Sequence, residues 1–555
     1  MPSYFWSCLA FFLSALSLSS TGLAASDIVV LDNGTFIGHI GEDEVYASFQ
    51  GIPFAQPPVA NLRFRLPQSV SPYSGIHEAR YPGPACPQRT LTLPIHEGLV
   101  ADAVNYLVNT LLGASPDSED CLTLTVTKPA NANANSKLPV VVWIYGGGFY
   151  TGRSAVGGDT VTRSIRMYNP VVFVSMNYRL SGFGFMASKE VKAAGVGNLG
   201  LHDQREALRW VQKYIRNFGG GPTKVTIWGQ SAGAISVASH MVAYGGDTRG
   251  LFRGAIMQSG APFPAGNVTR GQPLYDFVVS DTGCAGSADT LDCLRKVPYK
   301  RLKASIDIAP DSVPFTGMRF PWIPRADGVM FSDNPQRLVQ QGKVARVPYI
   351  TGNCDDEGTS FAIFDLNVMQ VPSTAQLTST TESQMKEYIK TLSPGTTDVE
   401  VTRILQEYPS DVTRGSPFDT GLFNAITPQF KRLSALQGDA ALQGPRRWLL
   451  DHTANRQDVW VYLSKRYKLL PILGSTHGTE QLNGGELQTY AIRFVNVLNP
   501  NVDSIFNYYW PKYQLDKREM MTFYDGIIFT LGISLDNYRA SAMELLNQVL
   551  LRNPV

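Results

Sequence analysis

Val225-Thr226-Ile227-Trp228-Gly229-Gln230-Ser231-Ala232-Gly233-Ala234 is the stretch on which the fold turns. Val225 to Trp228 is short, apolar and rich in β-branched residues, as a strand buried on both faces must be. The Ala/Ile/Val residues after Ser231 favour a helix. A buried strand that runs into Gly-x-Ser-x-Gly and then into a helix is the setting of a nucleophile elbow, a sharp turn that lifts a serine hydroxyl above the edge of a sheet. Side chains at Gly229 and Gly233 would strike the strand and the helix, so both positions call for glycine. The helix that follows points its positive end at negative charge developing beside Ser231.

Outward from this run, Leu138 to Tyr145 and Pro170 to Met176 read as two more buried strands. Leu201 to Arg216 reads as a helix with Ala207, Leu208, Val211 and Ile215 on one stripe. Strand, helix, strand implies a large, mostly parallel sheet with helices on both faces. The polar run Asn131-Ala132-Asn133-Ala134-Asn135-Ser136 is a hairpin or loop before a strand. A length of 555 residues would ordinarily divide into about three or four domains. No repeat or linker divides this chain, which is expected to hold one catalytic domain over residues 26–555.

A serine hydroxyl is a weak nucleophile at neutral pH and needs a base, a group that orients the base, and donors for an oxyanion. The three glycines of Tyr145-Gly146-Gly147-Gly148-Phe149 let backbone N–H groups approach a substrate oxygen, so the oxyanion hole is assigned to Gly147, Gly148 and Ala232. A phosphate loop would end in Lys-Ser/Thr, which this run lacks. Among seven histidines, His477 lies in a glycine-flanked loop late in the chain, where a base is expected, whereas His202 and His240 sit inside helical patterns as structural residues. Cys354-Asp355-Asp356-Glu357-Gly358-Thr359 follows the short strand Val347 to Thr351 and offers three carboxylates for the acid, among which chemistry alone does not choose. The order serine, acid, histidine is that of α/β-hydrolases. No metal or organic cofactor is implied.

Lys plus Arg (48) nearly balances Asp plus Glu (46), and no basic cluster tracks phosphates, so nucleic acid is excluded as a partner. Met1 to Ala25 carries an apolar run from Tyr4 to Leu18 and ends in small residues, which reads as a secretory signal peptide, too short for the ~20 residues of a membrane span. Loss of Cys8 with that segment leaves five cysteines. By proximity, Cys86 pairs with Cys121 and Cys284 with Cys293, leaving Cys354 unpaired, to be read either as a buried, inert thiol or as a reactive one. Asn33 and Asn267 stand in glycosylation sequons that fit the same export route. The amphipathic segment Leu91 to Leu112, enclosed by the Cys86 to Cys121 link, reads equally as an ordinary surface helix or as a flap that touches a lipid interface.

These residues closely resemble the type-B carboxylesterase/lipase family, which includes cholinesterases and secreted fungal lipases. The resemblance rests on Phe218-Gly219-Gly220-Gly221-Pro222 through Gly233, on Glu119-Asp120-Cys121-Leu122-Thr123-Leu124, and on Gly51 to Pro58 with Leu62-Arg63-Phe64. Gly197-Asn198, with Leu201 and Asp203-Gln204, extends it. It implies an α/β-hydrolase fold and hydrolysis of a small-molecule or lipid ester. It also implies Glu357 as the acid, with Asp355 and Asp356 as solvated loop charge, and Ser259 as a second serine supporting the triad. The same two disulfides and the ion pairs Arg63 with Glu119 and Arg179 with Asp203 follow from it. Two departures argue against a choline ester: no tryptophan lies between Cys86 and Cys121, and Gln230 stands where cholinesterases carry glutamate. Non-catalytic adhesion relatives, the alternative reading, lack the serine that this chain keeps.

Overall fold

The computed structural model describes residues 27–41, 43–88, 116–310, 321–368, 381–482, 485–501, 508–526 and 529–555. The segments Met1 to Ala25 and Leu91 to Leu112 therefore lie outside the described residues.

Fourteen strands are described. A three-stranded sheet joins β1 (Ile28–Leu31), β2 (Asn33–Ile37) and β5 (Ser74–Glu78). The remaining strands form one eleven-stranded sheet: β3 (His39–Ile40), β4 (Tyr46–Pro53), β6 (Thr123–Pro129), β7 (Leu138–Ile144), β8 (Val172–Met176), β9 (Gly220–Gln230), β10 (Gly254–Gln258), β11 (Tyr349–Cys354), β12 (Val459–Ser464), β13 (Glu519–Phe523) and β14 (Leu531–Leu535). Their spatial order is β14-β13-β12-β11-β10-β9-β7-β8-β6-β4-β3. From β8 through β7 to β13 every pairing is parallel, and antiparallel strands close both ends. This is the α/β-hydrolase architecture.

The continuous apolar runs follow from burial on both faces. Side chains alternate across a strand, so Val140, Val142 and Ile144 of β7 enter one core while Val141 enters the other. β9 divides likewise, with Val225 and Ile227 on one side and Trp228 on the other. In register, Val142 stands opposite both Ile227 and Val174. The structure extends the quoted strand back to Gly220 and shifts the strand expected at Val347 to Thr351 onto Tyr349–Cys354.

The helix expected from Leu201 runs over Leu199–Tyr214 and is buried nearly all round, with only Arg209 and Lys213 exposed. A one-sided stripe understated this burial, because polar residues of the helix such as Asp203 and Gln204 bond inward. Arg179 Nη2–H donates to Asp203 Oδ1 at 2.6 Å, and Arg63 Nε–H donates to Glu119 Oε1 at 2.5 Å. Cys86 is bonded to Cys121 and Cys284 to Cys293, while Cys354 is free and buried. Asn33 and Asn267 are exposed. Among the described residues no helix is long and apolar enough to cross a membrane.

Because β7 to β13 run parallel, their C-terminal ends share one edge of the sheet, where open α/β sheets place their ligands. Ser231 directly follows β9, the loop Asp355 to Gly358 follows β11, and the His477 loop comes after β12.

Candidate active site

Ser231 caps the helix Ala232–Val242 with φ +57° and ψ −127°, a backbone conformation that residues with side chains rarely adopt. Close packing dictates the glycines around it. A Cβ on Gly233 would lie 2.0 Å from the Ile144 carbonyl oxygen, and one on Gly229 would lie 2.4 Å from the Gly233 backbone. A Cβ on Gly146 would meet Ser231 Cβ at 2.8 Å, so the glycine loop after β7 presses directly against the turn. Gly147 and Gly148 continue that loop at φ +95° and +64°. The Ala232 N–H belongs to the first turn of its helix and has no partner within it. All three residues line the same cavity as Ser231.

The structure brings together Ser231, His477 and Glu357. Ser231 Oγ–H donates to His477 Nε2 at 2.8 Å, and His477 Nδ1–H donates to Glu357 Oε2 at 2.6 Å. The other Glu357 oxygen accepts from Asn353 Nδ2 at 3.0 Å and from the Cys354 N–H at 2.8 Å. This hydrogen-bond pattern leaves the Nε2 lone pair facing the serine.

Asp355 and Asp356 are not solvated. Their exposures are 5% and 0%, and Lys468 Nζ donates to both, at 2.6 and 2.7 Å. Asp356 also accepts from the Ser475 N–H, the Phe418 N–H and the Ser416 hydroxyl, and its backbone pairs with Thr476. The reading as loop charge failed because sequence neighbours do not reveal a lysine brought in from a distant loop. The pair stitches the acid-bearing loop onto the histidine-bearing loop.

The Ser259 hydroxyl bonds to a residue outside the Ser231, His477 and Glu357 chain. It donates to Glu480 Oε1 at 2.8 Å. Glu480 is a buried carboxylate absent from the sequence reading. It also accepts from the Cys354 thiol at 2.6 Å and from Gln230 Nε2 at 3.5 Å. The one signal that could have found it is a carboxylate a single short turn after His477, in Thr479–Gln481. Burial, then the charge of Glu357, push the Glu480 carboxyl up. Burial and the two glutamates likewise hold the Cys354 thiol well above its usual range, so it stays protonated and unreactive. For His477, burial pulls the imidazole down, but the charge and hydrogen bond of Glu357, with Glu480 behind, outweigh it and leave the net shift upward.

The cavity above Ser231 measures about 1010 Å³. Phe263, Ile323, Phe361 and Leu442 supply apolar wall, and Phe361 also packs against the His477 ring at 5.2 Å between centroids. Such a space receives a sizeable, largely apolar ligand and turns a few polar groups onto it.

Residues 25–483 match the carboxylesterase family. The chain is 38% identical to lipase 4 of Diutina rugosa over 542 residues, covering 94% of this chain and 96% of that protein. It is 39% identical to the secreted triacylglycerol lipase LIP1 of Gibberella zeae over 520 residues, covering 90% and 86%. Among solved structures, Aspergillus niger EstA superposes with a TM-score of 0.77 at 26% identity, covering 96% of this chain and 99% of that one. With fold, site geometry and relatives in agreement, the chain belongs to the carboxylesterase family, the hydrolases of carboxylic esters.

Proposed function

We propose that this protein is a secreted esterase or lipase of one catalytic domain that works through an acyl-enzyme on Ser231. The observation that carries the reading is the unbroken contact from Ser231 Oγ through His477 to Glu357, at 2.8 and 2.6 Å, beneath a mainly apolar cavity. His477 Nε2 takes the serine proton as Oγ attacks the ester carbonyl. The Gly147, Gly148 and Ala232 N–H groups receive the oxyanion, and Glu357 stabilises the imidazolium. The proton then passes to the leaving alcohol, and His477 activates water to release the acid. Secretion is supported by the leader-like segment Met1 to Ala25 and by the secreted lipase relative. Covalent labelling with a fluorophosphonate tests the nucleophile: active protein that labels elsewhere than Ser231 would refute it.

Two predictions arise here. The base works only when neutral, and its pKa is raised, so activity is present at high pH and lost as pH falls through that value. The acid limb of kcat/KM is therefore expected above the ordinary imidazole value of 6.5. Glu357→Gln removes the charge that raises it and should move whatever limb remains downward. The second prediction concerns the substrate. If the Leu91 to Leu112 segment is a flap that meets lipid, hydrolysis of tributyrin jumps as its concentration passes the solubility limit, whereas a plain carboxylesterase shows smooth saturation.

A further inference from the structure

Arg205, on the helix Leu199–Tyr214, is fully buried, yet its Nε, Nη1 and Nη2 have no hydrogen-bond partner among the described residues. Three other buried guanidinium groups stand in contrast. Arg63 is paired with Glu119, Arg179 with Asp203, and Arg446 with Asp536. A charge removed from water needs an opposite charge beside it, or it destabilises the fold severely.

The neighbours of Arg205 put no carboxylate in hydrogen-bond contact with it. Its Cζ lies 4.8 Å from the centre of the Tyr244 ring, and the exposed Arg249 lies 4.6 Å from the same ring. His240, on the helix behind Ser231, donates from Nε2 to Gln204 Oε1 at 2.8 Å, leaving its buried Nδ1 without a partner. Burial and the nearby arginines push His240 well below the ordinary histidine range and His202 down to about 4, so both rings are neutral. Burial acts most strongly against the Arg205 charge, Tyr244 favours it, and of the formal charges Arg209 and Arg249 oppose it while only the exposed Asp247 supports it. Glu206, the next residue in the chain, is committed to Arg209 and Ser69.

We infer that Arg205 holds a small monovalent anion of halide size between the helices Leu199–Tyr214 and Ala232–Val242. Its planar set of N–H groups suits such an ion. Water can satisfy those donors but leaves the charge uncompensated. The turn Tyr244-Gly245-Gly246 beside the guanidinium runs at φ +53°, +73° and +89°. The half-buried Tyr244 ring is in contact with both the buried guanidinium and the exposed one. Space beside Gly245 is open, since a Cβ there would meet nothing within 4 Å. Arg205 does not line the cavity above Ser231, so the anion is a brace for the helix behind the nucleophile and not a competitor for substrate.

Bromide tests this. Crystals of the intact protein soaked in sodium bromide should give an anomalous peak within hydrogen-bonding distance of the Arg205 guanidinium. In solution, exchanging gluconate for bromide at constant ionic strength should raise the melting temperature with the logarithm of bromide concentration, by about 2 °C at 100 times the dissociation constant. Arg205→Met, which keeps the volume and removes the charge, should abolish that rise. Absence of a bromide peak at Arg205 overturns the inference and leaves the guanidinium solvated by internal water. An equal bromide response in the wild type and Arg205→Met does the same. Should the variant fail to fold, the diffraction result on the wild type decides alone.

Discussion

Ser231→Ala is expected to lower kcat on a p-nitrophenyl ester by on the order of 10⁴ to 10⁶, with KM little changed. In the proposed route the hydroxyl oxygen forms the acyl-enzyme, and among the described residues the other side chain hydrogen-bonded near His477 Nε2 is the Gln230 amide, at 3.4 Å, which is not a nucleophile. The substitution removes one oxygen and leaves the turn's glycine packing untouched, so the melting temperature should stay near that of the wild type. Residual catalysis should persist, because the N–H groups of Gly147, Gly148 and Ala232 still stabilise an oxyanion formed by attack of water. A Ser231→Ala protein retaining a tenth of wild-type kcat would rule out the acyl-enzyme route.

Glu357→Gln is the second large effect, about a 10⁴-fold loss near neutral pH. Its cause can be traced to individual atoms. Asn353 Nδ2 and the Cys354 N–H both donate to Glu357 Oε1. A glutamine must therefore keep its carbonyl oxygen on that side and turn its NH₂ toward His477. Facing a donor, Nδ1 becomes the acceptor, the proton moves to Nε2, and the ring can no longer take the serine proton. Asp355→Asn, by contrast, weakens a contact with Lys468 that Asp356 still makes, and should retain most activity. The two kcat values side by side decide the matter, and a larger loss at Asp355 would mean that the acid is misassigned.

The sequence disclosed those parts of the fold and site that rest on local sterics. Gly229 and Gly233 are legible because a Cβ at either would collide with backbone, and the doubly buried strands because their apolar runs are unbroken. The acid was not legible from residue chemistry. Three carboxylates stand in a row, and only the path of the loop decides which one faces the histidine; the family resemblance made that choice. Asp355 and Asp356 were misread because Lys468, more than a hundred residues away, is what makes their burial tolerable. Glu480 escaped notice because a glutamate in a short turn looks solvated until Ser259 and Cys354 are brought against it from other strands. The three-stranded sheet of β1, β2 and β5 was likewise unread, since β5 lies far in sequence from the β1–β2 hairpin it joins and the faces are partly exposed.

The bridge between Asp356 and Thr476, with the Asp356 carboxylate bonded to the Ser475 N–H, makes the machinery an assembly of two halves and not of three separate parts. Glu357 and His477 stand on a clasped pair of loops, while Ser231 and its glycines belong to the centre of the sheet. Motion of the clasped half leaves the distance from acid to base nearly constant and changes the distance from base to nucleophile. Thermal loosening of this enzyme should thus act as a clutch, disengaging an intact proton relay from its serine before the relay itself comes apart.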